Sequence, residues 1–181
     1  IPIVGVTLLH RKGYFRQHLD VNGNQTETPA EWNPEERLKA EDTRVSITIE
    51  GRQVLVRPWR YDISGSDGSD VRVYFLDTAL PENSPSDQQL TDYLYGGDER
   101  YRLCQEAVLG MGGIAMLRAL GYTNVTAYHM NEGHSSLLTL ALLKEQSSRS
   151  GKPVTDRENV ELVRQQCVFT THTPVSAGID Q

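Results

Sequence analysis

The chain has 181 residues, of which 38% are hydrophobic and 23% are charged, and its formal net charge is −6 at pH 7. This length and composition predict a folded domain with a sizeable core and exclude a disordered chain. No apolar run approaches the roughly 18 residues of a membrane span, and the acidic charge balance argues against nucleic acid as the main partner.

The chain up to about Ala79 is predicted to consist mainly of β-strands. Short runs rich in β-branched and aromatic residues are separated by turn-forming pieces such as VNGNQ and SGSDGSD. The predicted strands are VGVTLLH, YFRQHLD, RVSITIE, RQVLVRPWRYD and DVRVYFLD. EGRQ predicts a hairpin turn, whereas TPAEWNPEERLKAED predicts a surface loop with one helical turn.

From Gln88 to Leu120 apolar residues recur at helical spacing and predict one long helix or two, ended by Gly121. The predicted apolar side comprises Leu103, Ala107, Val108, Met111, Ile114, Leu117 and Leu120. NVTAYHM then predicts a buried strand, SSLLTLALLKEQSSRSG a helix, VTDRENVELVRQQC a helix capped by Thr155 or Asp156, and VFTTHT a strand. This order is typical of a doubly wound parallel sheet.

Polar residues follow the last two predicted strands. NVTAYHM ends in NEGH, and VFTTHT runs into PVSAGID. In a parallel sheet the ligand crevice lies beyond the carboxyl ends of the strands. We therefore expect His134 and His172 on the same edge if the two strands are neighbours.

The segment HMNEGH has three interpretations. A metal site would use His129 and His134, but their spacing lacks the i, i+4 pair of a helical zinc site. A helix cap would use Asn131 or Ser135, with Glu132 near the positive helix end and Gly133 in the turn. In the third interpretation, these groups line a crevice for a hydroxyl-rich or anionic ligand.

The cysteines and the chain ends bear on cellular context. Cys104 and Cys167 are the only cysteines, and both lie in apolar-patterned segments. They indicate free thiols in a cytoplasmic protein, although the sequence leaves a disulfide between them open. The start at Ile1 without methionine and the end at SAGIDQ indicate a piece of a longer protein.

YHMNEGHSSLL, followed by FTTHTPVSAGID, resembles the α-glucan phosphorylases, the family of glycogen, starch and maltodextrin phosphorylases, and most of all their short bacterial and archaeal branch. GVTLLHRKGYFRQHLDVNGNQTE resembles a strand pair of that family, and YLYGGDERYRLCQEAVLGMGG resembles its gate loop and following helix. The resemblance implies an α/β fold: residues 1–181 are part of the N-terminal Rossmann-like domain of a two-domain (GT-B) glycosyltransferase. Residues 1–79 are mainly β and residues 80–181 α/β, and the C-terminal cofactor-binding domain is absent.

The resemblance also implies roles for individual residues. His172 matches the histidine whose main-chain carbonyl faces the transferred glucosyl unit. Asn131, Glu132 and His134 match the polar wall of the pocket beside that glucose.

Two further matches lie in the gate region. Asp98 matches the gate-loop aspartate and Arg102 an arginine near the same pocket. Gly97 and Glu99 replace the family's asparagines, and Ile179 departs from its PAGHD ending. From the residues alone, Asp98 is equally a turn residue and Arg102 a solvated helix residue.

The implied reaction is phosphorolysis of terminal α-1,4-glucosidic bonds to glucose 1-phosphate, with α-1,4-glucan or maltodextrin and phosphate as substrates. Pyridoxal phosphate serves the full-length enzyme, a homo-oligomer, but its lysine lies outside this chain, so we expect the isolated chain to bind no cofactor and to be inactive. Two alternatives remain open. One is a non-catalytic glucan-binding or assembly module, and the other is an unrelated metal hydrolase that uses His129, His134 and His172.

Overall fold

The computed structural model describes residues 2–66, 68–94 and 96–171. The strands in this part of the chain are β1 (Val4–Leu8), β2 (Phe15–Leu19), β3 (Gln25–Pro29), β4 (Lys39–Ala40), β5 (Val45–Ile49), β6 (Arg52–Ser64), β7 (Asp70–Asp77), β8 (Tyr128–Asn131) and β9 (Cys167–Thr170). The helices are α1 (Glu99–Ala107), α2 (Gly113–Ala119), α3 (Leu138–Ser150) and α4 (Arg157–Gln166), and short 3-10 turns lie at Pro34–Glu36, Asp87–Gln89 and Gly133–Ser135. The protein is thus a mixed α/β structure.

The main sheet has the strand order β1-β7-β6-β4, and β5 also pairs with β6. β1 runs parallel to β7, whereas β6 is antiparallel to β4, β5 and β7. β6 reaches both β5 and β7 because it is 13 residues long: its first part pairs with β5 and its second with β7. The five strands predicted up to Ala79 are confirmed as β1, β2, β5, β6 and β7.

The hairpin of β2 and β3 was only half predicted. β3 has the sequence QTETP, which carries no apolar alternation, and all ten residues of β2 and β3 are exposed. Because neither face of this ribbon is buried, the sequence has no burial pattern from which β3 could be recognised.

The turn between β5 and β6 is a two-residue loop, as EGRQ predicts. Ile49 pairs with Arg52, and the two loop residues Glu50 and Gly51 have φ angles of 49° and 80°. Positive φ at both central residues matches the twist of the adjoining strands and defines a tight, well-determined turn. The turn therefore fixes the direction of the Glu50 side chain at the end of the hairpin.

The long helix begins later than the sequence predicts, at Glu99 instead of Gln88. It continues from α1 through the π-helical segment Val108–Gly112 into α2. Leu103, predicted to face the core, is 57% exposed. The wider π-turn rotates α1 relative to α2, so residues that share a face in an uninterrupted helix do not share one here.

β8 and β9 form a second, parallel sheet, and α3 and α4 connect them. The predicted alternation of helix and strand is confirmed here, and Asp156 caps α4 by accepting a hydrogen bond from the Glu158 amide at 3.0 Å. Tyr128 and Met130 point into a core with Ile114 and Val163. The main sheet packs against α1 and α2 in a separate core built from Leu8, Ile47, Ile49, Val54, Val56, Leu76, Leu90, Cys104, Ala107, Val108 and Met116.

The π-helical segment passes very close to the start of α3. A Cβ atom on Gly110 would lie 2.6 Å from the backbone nitrogen of Leu138 and 2.8 Å from the carbonyl carbon of Leu137. Because both contacts are backbone atoms, no side-chain rotation can relieve them. Glycine is therefore required where this helix meets the segment that follows β8.

We expect Gly110→Ala to lower the free energy of unfolding by about 2 kcal/mol, because the added methyl group forces two backbone segments apart. Gly112→Ala is the matched control: it lies in the same segment, and the nearest atom to its new Cβ is 3.7 Å away. Since alanine favours helix, Gly112→Ala should be neutral or stabilising by up to about 1 kcal/mol. Urea denaturation of both variants measures the difference, and equal stabilities would contradict the close approach.

A buried ion cluster lies where the parallel strands β1 and β7 end. Asp77, the last residue of β7, has no exposed surface and accepts hydrogen bonds from Arg11 at 2.8 and 2.9 Å. Arg57 and Trp59 on β6 donate to the same carboxylate at 3.0 and 2.8 Å, and the Ala79 amide donates at 2.9 Å. Burial by itself raises the pKa of Asp77, but the donors led by Arg11 outweigh it and lower the pKa to about 2.

Cys104 and Cys167 are free thiols, as predicted, and burial raises the pKa of Cys167. Among the helices of residues 2–66, 68–94 and 96–171, none combines the length and hydrophobicity needed to cross a membrane.

Candidate functional site

The parallel strands β8 and β9 end side by side. Asn131 is aligned with Thr170, and the Glu132 amide donates to the Thr170 carbonyl at 2.9 Å. The condition under which the sequence places His134 and His172 on the same edge, that the two strands are neighbours, is therefore met. His172 lies outside the described residues, so its place on this edge stays a prediction.

Glu132 combines burial with unusual backbone geometry. Its side chain and backbone are only 6% exposed, and its φ and ψ angles are 57° and −165°. This region is accessible almost only to glycine and costs on the order of 1–3 kcal/mol for other residues. The sequence assigned the turn to Gly133, but the left-handed residue is the glutamate itself. Strain of this kind is concentrated at functional sites.

The helix-cap interpretation of this segment is wrong. α3 begins only at Leu138, and its N-cap residue Leu137 makes no side-chain capping hydrogen bond. The intervening 3-10 turn Gly133–Ser135 has no side-chain cap either. This turn separates Asn131 and Ser135 from the start of α3, so capping does not explain the polar residues.

The gate-region residues lie along one row of α1. Asp98 is the N-cap of this helix and accepts a hydrogen bond from the Tyr101 amide at 2.8 Å. Arg102 follows one turn later and Glu106 one turn after that, and residues four apart are neighbours on a helix surface. Asp98 and Arg102 are exposed, whereas Glu106 is half-buried where α1 meets the 3-10 turn that carries His134.

Glu106 joins the candidate site although it is not among the residues predicted to line it. Burial raises the pKa of its carboxyl group, and the nearby charges of His134 and Arg102 act in the opposite direction. Glu106 is therefore within electrostatic range of two residues predicted to line the site. Its position four residues after Arg102 places it on the same side of α1 and could have indicated it. Its burial, however, depends on the packing of α1 against other elements, which the sequence pattern does not show.

His10 approaches the site from the main sheet. It follows β1 by two residues, and its Nδ1 lies 2.8 Å from the carbonyl oxygen of Thr91. Burial lowers the pKa of His10, and the nearby His134 contributes in the same direction. His10, two residues beyond the end of β1, therefore lies within electrostatic range of His134, which follows β8.

The structure thus brings together part of the predicted site. His134 lies within electrostatic range of the unpredicted Glu106 and His10, and Arg102 lies within range of Glu106. Glu132 directly precedes the 3-10 turn that carries His134. Carboxylates, imidazoles and a guanidinium at the mouth of strand ends are suited to hydroxyl groups, which both donate and accept hydrogen bonds.

Two other predicted residues lie at the margins. Asn131 is exposed on β8, on the same face as His129. Asp98, at the start of α1, opens onto a separate groove of about 550 Å³ between α1 and the β5–β6 turn.

The arrangement offers little to a metal ion. Within the part of the chain that the structure describes, no three histidine, cysteine, aspartate or glutamate side chains lie close enough to hold one. His129 instead places its Nε2 2.6 Å from the Thr170 hydroxyl.

Two of the four lysines, the residue type that binds pyridoxal phosphate as a Schiff base, are engaged in ion pairs. Lys12 is paired with Asp92 at 3.2 Å and lies over the Tyr93 ring, and the exposed Lys152 is paired with Glu158. Both amines are thus held by carboxylates.

Comparison with known proteins finds relatives that are similar to the chain over its whole length. No family model matches the sequence. The maltodextrin phosphorylase of Thermococcus litoralis is 35% identical over 188 residues, an alignment covering 100% of this chain and 22% of that protein. The glycogen phosphorylase of Mycobacterium tuberculosis is 36% identical over 195 residues, again covering 100% of this chain and 22% of the relative. The glycogen phosphorylase of Aquifex aeolicus is 28% identical over 191 residues, covering 99% of the chain and 26% of the relative.

These relatives are phosphorylases, a class of glycosyltransferases, and the similarity extends along the whole chain. The chain is therefore similar over its whole length to maltodextrin and glycogen phosphorylases. It spans only about a fifth of the length of the first two relatives.

Proposed function

We propose that the complete polypeptide containing this sequence cleaves terminal α-1,4-glucosidic bonds of a glucan or maltodextrin with inorganic phosphate and releases glucose 1-phosphate. Residues 1–181 then form part of the N-terminal, Rossmann-like domain of a two-domain GT-B enzyme, with residues 1–79 mainly β and 80–181 α/β. The parallel β8–β9 pair, linked through α3 and α4, supports this assignment.

The observation that carries the proposal is Glu132, a buried acidic residue held in a strained backbone conformation at the strand ends, beside His134. Cleavage of a glucosidic bond develops positive charge on the sugar, and a fixed negative group in a water-poor site stabilises such charge. In this proposal Asn131, Glu132 and His134 form the wall beside the glucosyl unit, and the carbonyl of His172 faces the developing charge.

In this proposal Arg102 and Asp98 form the gate side of the site, at its margin. Their common row on α1 leads from the exposed helix start toward Glu106 and His134. In this proposal Arg102 binds hydroxyl groups of the glucan, and Asp98 borders the entrance.

The phosphate-handling part of the reaction belongs to residues outside this chain. When bound in the complete enzyme, pyridoxal phosphate supplies a phosphate group for proton transfer. We assign its lysine to the C-terminal domain, so the isolated chain is proposed to be inactive. The free thiols support a cytoplasmic location, and a homo-oligomer is proposed for the complete enzyme.

Assay of the complete polypeptide tests this function through Arg102→Ala. We expect phosphate-dependent release of glucose 1-phosphate from maltodextrin, and a fall of about tenfold in kcat/KM for maltodextrin in the variant, because a charged hydrogen bond to the glucan is lost. The KM for phosphate should stay unchanged.

Arg149→Ala is the matched control, since it removes an exposed arginine from the end of α3. Maltodextrin binding without turnover by the complete polypeptide would contradict the proposal and favour a non-catalytic glucan-binding or assembly module.

A further inference from the structure

The turn of the β5–β6 hairpin reaches across to the first turn of α1. Arg100 donates two hydrogen bonds to Glu50, from Nε to Oε1 at 2.7 Å and from Nη2 to Oε2 at 2.5 Å. This bidentate pair joins residues 50 positions apart in sequence. A contact of this kind ties a rigid turn to the start of a helix.

The same carboxylate is part of a larger network. Arg52 Nη1 donates to Glu50 at 2.6 Å, while its Nε and Nη2 donate to Asp87 at 2.9 and 2.8 Å. Ser84 donates to Asp87 at 2.6 Å. Isolated surface ion pairs are weak, but a shared carboxylate with bidentate partners is the exception in which geometry supports a real contribution. The network lowers the pKa of Glu50 to about 2, chiefly through the hydrogen bonds from Arg100 and Arg52.

The other side of the first turn of α1 is also held. The Tyr101 hydroxyl donates to the Gln89 carbonyl at 2.8 Å and accepts from the Tyr93 amide at 3.3 Å. The Tyr101 amide is bound by Asp98. Residues Gly96–Asp98, which we call the gate segment, are therefore followed by a helix turn that is fixed from two directions.

A groove lies between the hairpin turn and α1, next to the gate segment. It holds about 550 Å³ and is lined by Gly97 and Asp98 on one side and by Arg52 and Asp87 on the other. Arg100 spans it to reach Glu50. The gate segment therefore adjoins an open groove on this side, where the Arg100–Glu50 pair ties the start of α1 to the hairpin turn.

We propose that Glu50 is a positioning residue, which acts through Arg100 to hold the gate segment Gly96–Asp98 in one orientation at the entrance of the glucan pocket. The role of the entrance rests on the proposed function, whereas the restraint on the segment does not. Glu50 touches no part of the candidate site itself, so its effect is on the placement of Asp98.

Hydrogen–deuterium exchange of the complete polypeptide tests the restraint independently of catalysis. In Glu50→Gln, the amides of residues 96–101 should exchange about fivefold faster than in the wild type. High salt should speed exchange in the wild type and leave the variant unchanged, because salt screens an exposed ion pair. Unchanged exchange in the variant would overturn the proposal.

Two further variants separate the ion pair from the fold of the turn. Glu50→Asn removes the long carboxylate but suits the positive φ of 49°, so the hairpin is retained. Its exchange should match that of Glu50→Gln, and slow exchange would overturn the proposal. Glu158→Gln is the control, since it breaks an equally exposed pair with Lys152 and should leave residues 96–101 unaffected.

The proposal also predicts different effects on KM and on kcat. In Glu50→Gln the KM for maltodextrin should rise about threefold at nearly constant kcat, because the segment borders the entrance and not the reacting bond. Faster exchange with an unchanged KM would overturn the link to the pocket. Faster exchange in a polypeptide whose wild type releases no glucose 1-phosphate would refute the proposed function and leave the restraint standing.

Discussion

Replacement of Glu132 by alanine or by glycine is expected to lower kcat/KM for maltodextrin by about 100-fold in the complete enzyme, the usual effect of removing one preorganised charge-stabilising group. The loss should fall mainly on kcat, because the negative group matters most when the sugar becomes positively charged. Steady-state phosphorolysis at varied maltodextrin and saturating phosphate measures it.

The two replacements should differ in stability in an unusual order. At ordinary positions glycine is less stable than alanine by about 0.5–1 kcal/mol. At residue 132, with φ of 57° and ψ of −165°, alanine keeps the strain and glycine removes it. We therefore expect Glu132→Gly to be more stable than Glu132→Ala by about 1 kcal/mol in urea denaturation.

This pair of variants separates catalysis from folding. If the activity loss followed stability, the glycine variant would be the more active of the two, and the proposed role of the carboxylate would be refuted. Glu161→Ala, which removes an exposed glutamate from α4, is the control for the loss of a carboxylate as such.

Asp77→Ala is expected to have the largest effect on stability, a loss of about 3–5 kcal/mol in the free energy of unfolding. Removing one partner of a buried ion cluster leaves the remaining charges without compensation. Arg11 and Arg57 would both lose their hydrogen bonds to a carboxylate with no exposed surface. Because Arg11 follows His10 directly, the edge of the main sheet beside the candidate site should loosen first.

The same carboxylate predicts a dependence of stability on pH. Its pKa is lowered from 3.8 to about 2, so the stabilisation is complete above pH 4 and is lost as the pH falls toward 2. This shift corresponds to about 2 kcal/mol. Urea denaturation of wild type and Asp77→Asn between pH 2 and 5 should show the difference between them shrinking toward the acid end.

Asp62→Asn is the matched control for Asp77. Asp62 also faces two arginines, Arg60 at 3.1 Å and Arg72 at 3.9 Å, but its side chain is 43% exposed. Exposed pairs contribute at most about 1 kcal/mol. Comparable losses in the two variants would show that burial is not the source of the Asp77 effect.

The predictable part of the fold was the part that local sequence determines. The turn at EGRQ could be predicted because Gly51 permits a two-residue loop. The end of α3 could be predicted because Gly151 adopts the left-handed conformation. β3 and the start of α1 were not readable. β3 buries neither face, and Asp87–Gln89 form a separate 3-10 turn ahead of α1, which begins only after its N-cap Asp98.

The candidate site was predictable to the extent that it lies at strand ends. Glu132 and His134 follow β8, and the parallel alignment with β9 brings the ends of both strands together. Glu106 and His10 were missed because their approach to His134 depends on how the two sheets adjoin, which no local pattern encodes. The strain at Glu132 was hidden by Gly133, the more obvious residue for a turn.

The parallel pairing of β1 with β7 has a consequence for the order of folding. Val4 is aligned with Arg72, so β1 finds its described partner only after nearly seventy further residues have been synthesised. β5, β6 and β7 are joined by short turns and can assemble before then, since local contacts form faster than distant ones. During synthesis β1 therefore remains unpaired until β7 has been made. We expect its amides to be the last in the main sheet to gain protection from hydrogen exchange.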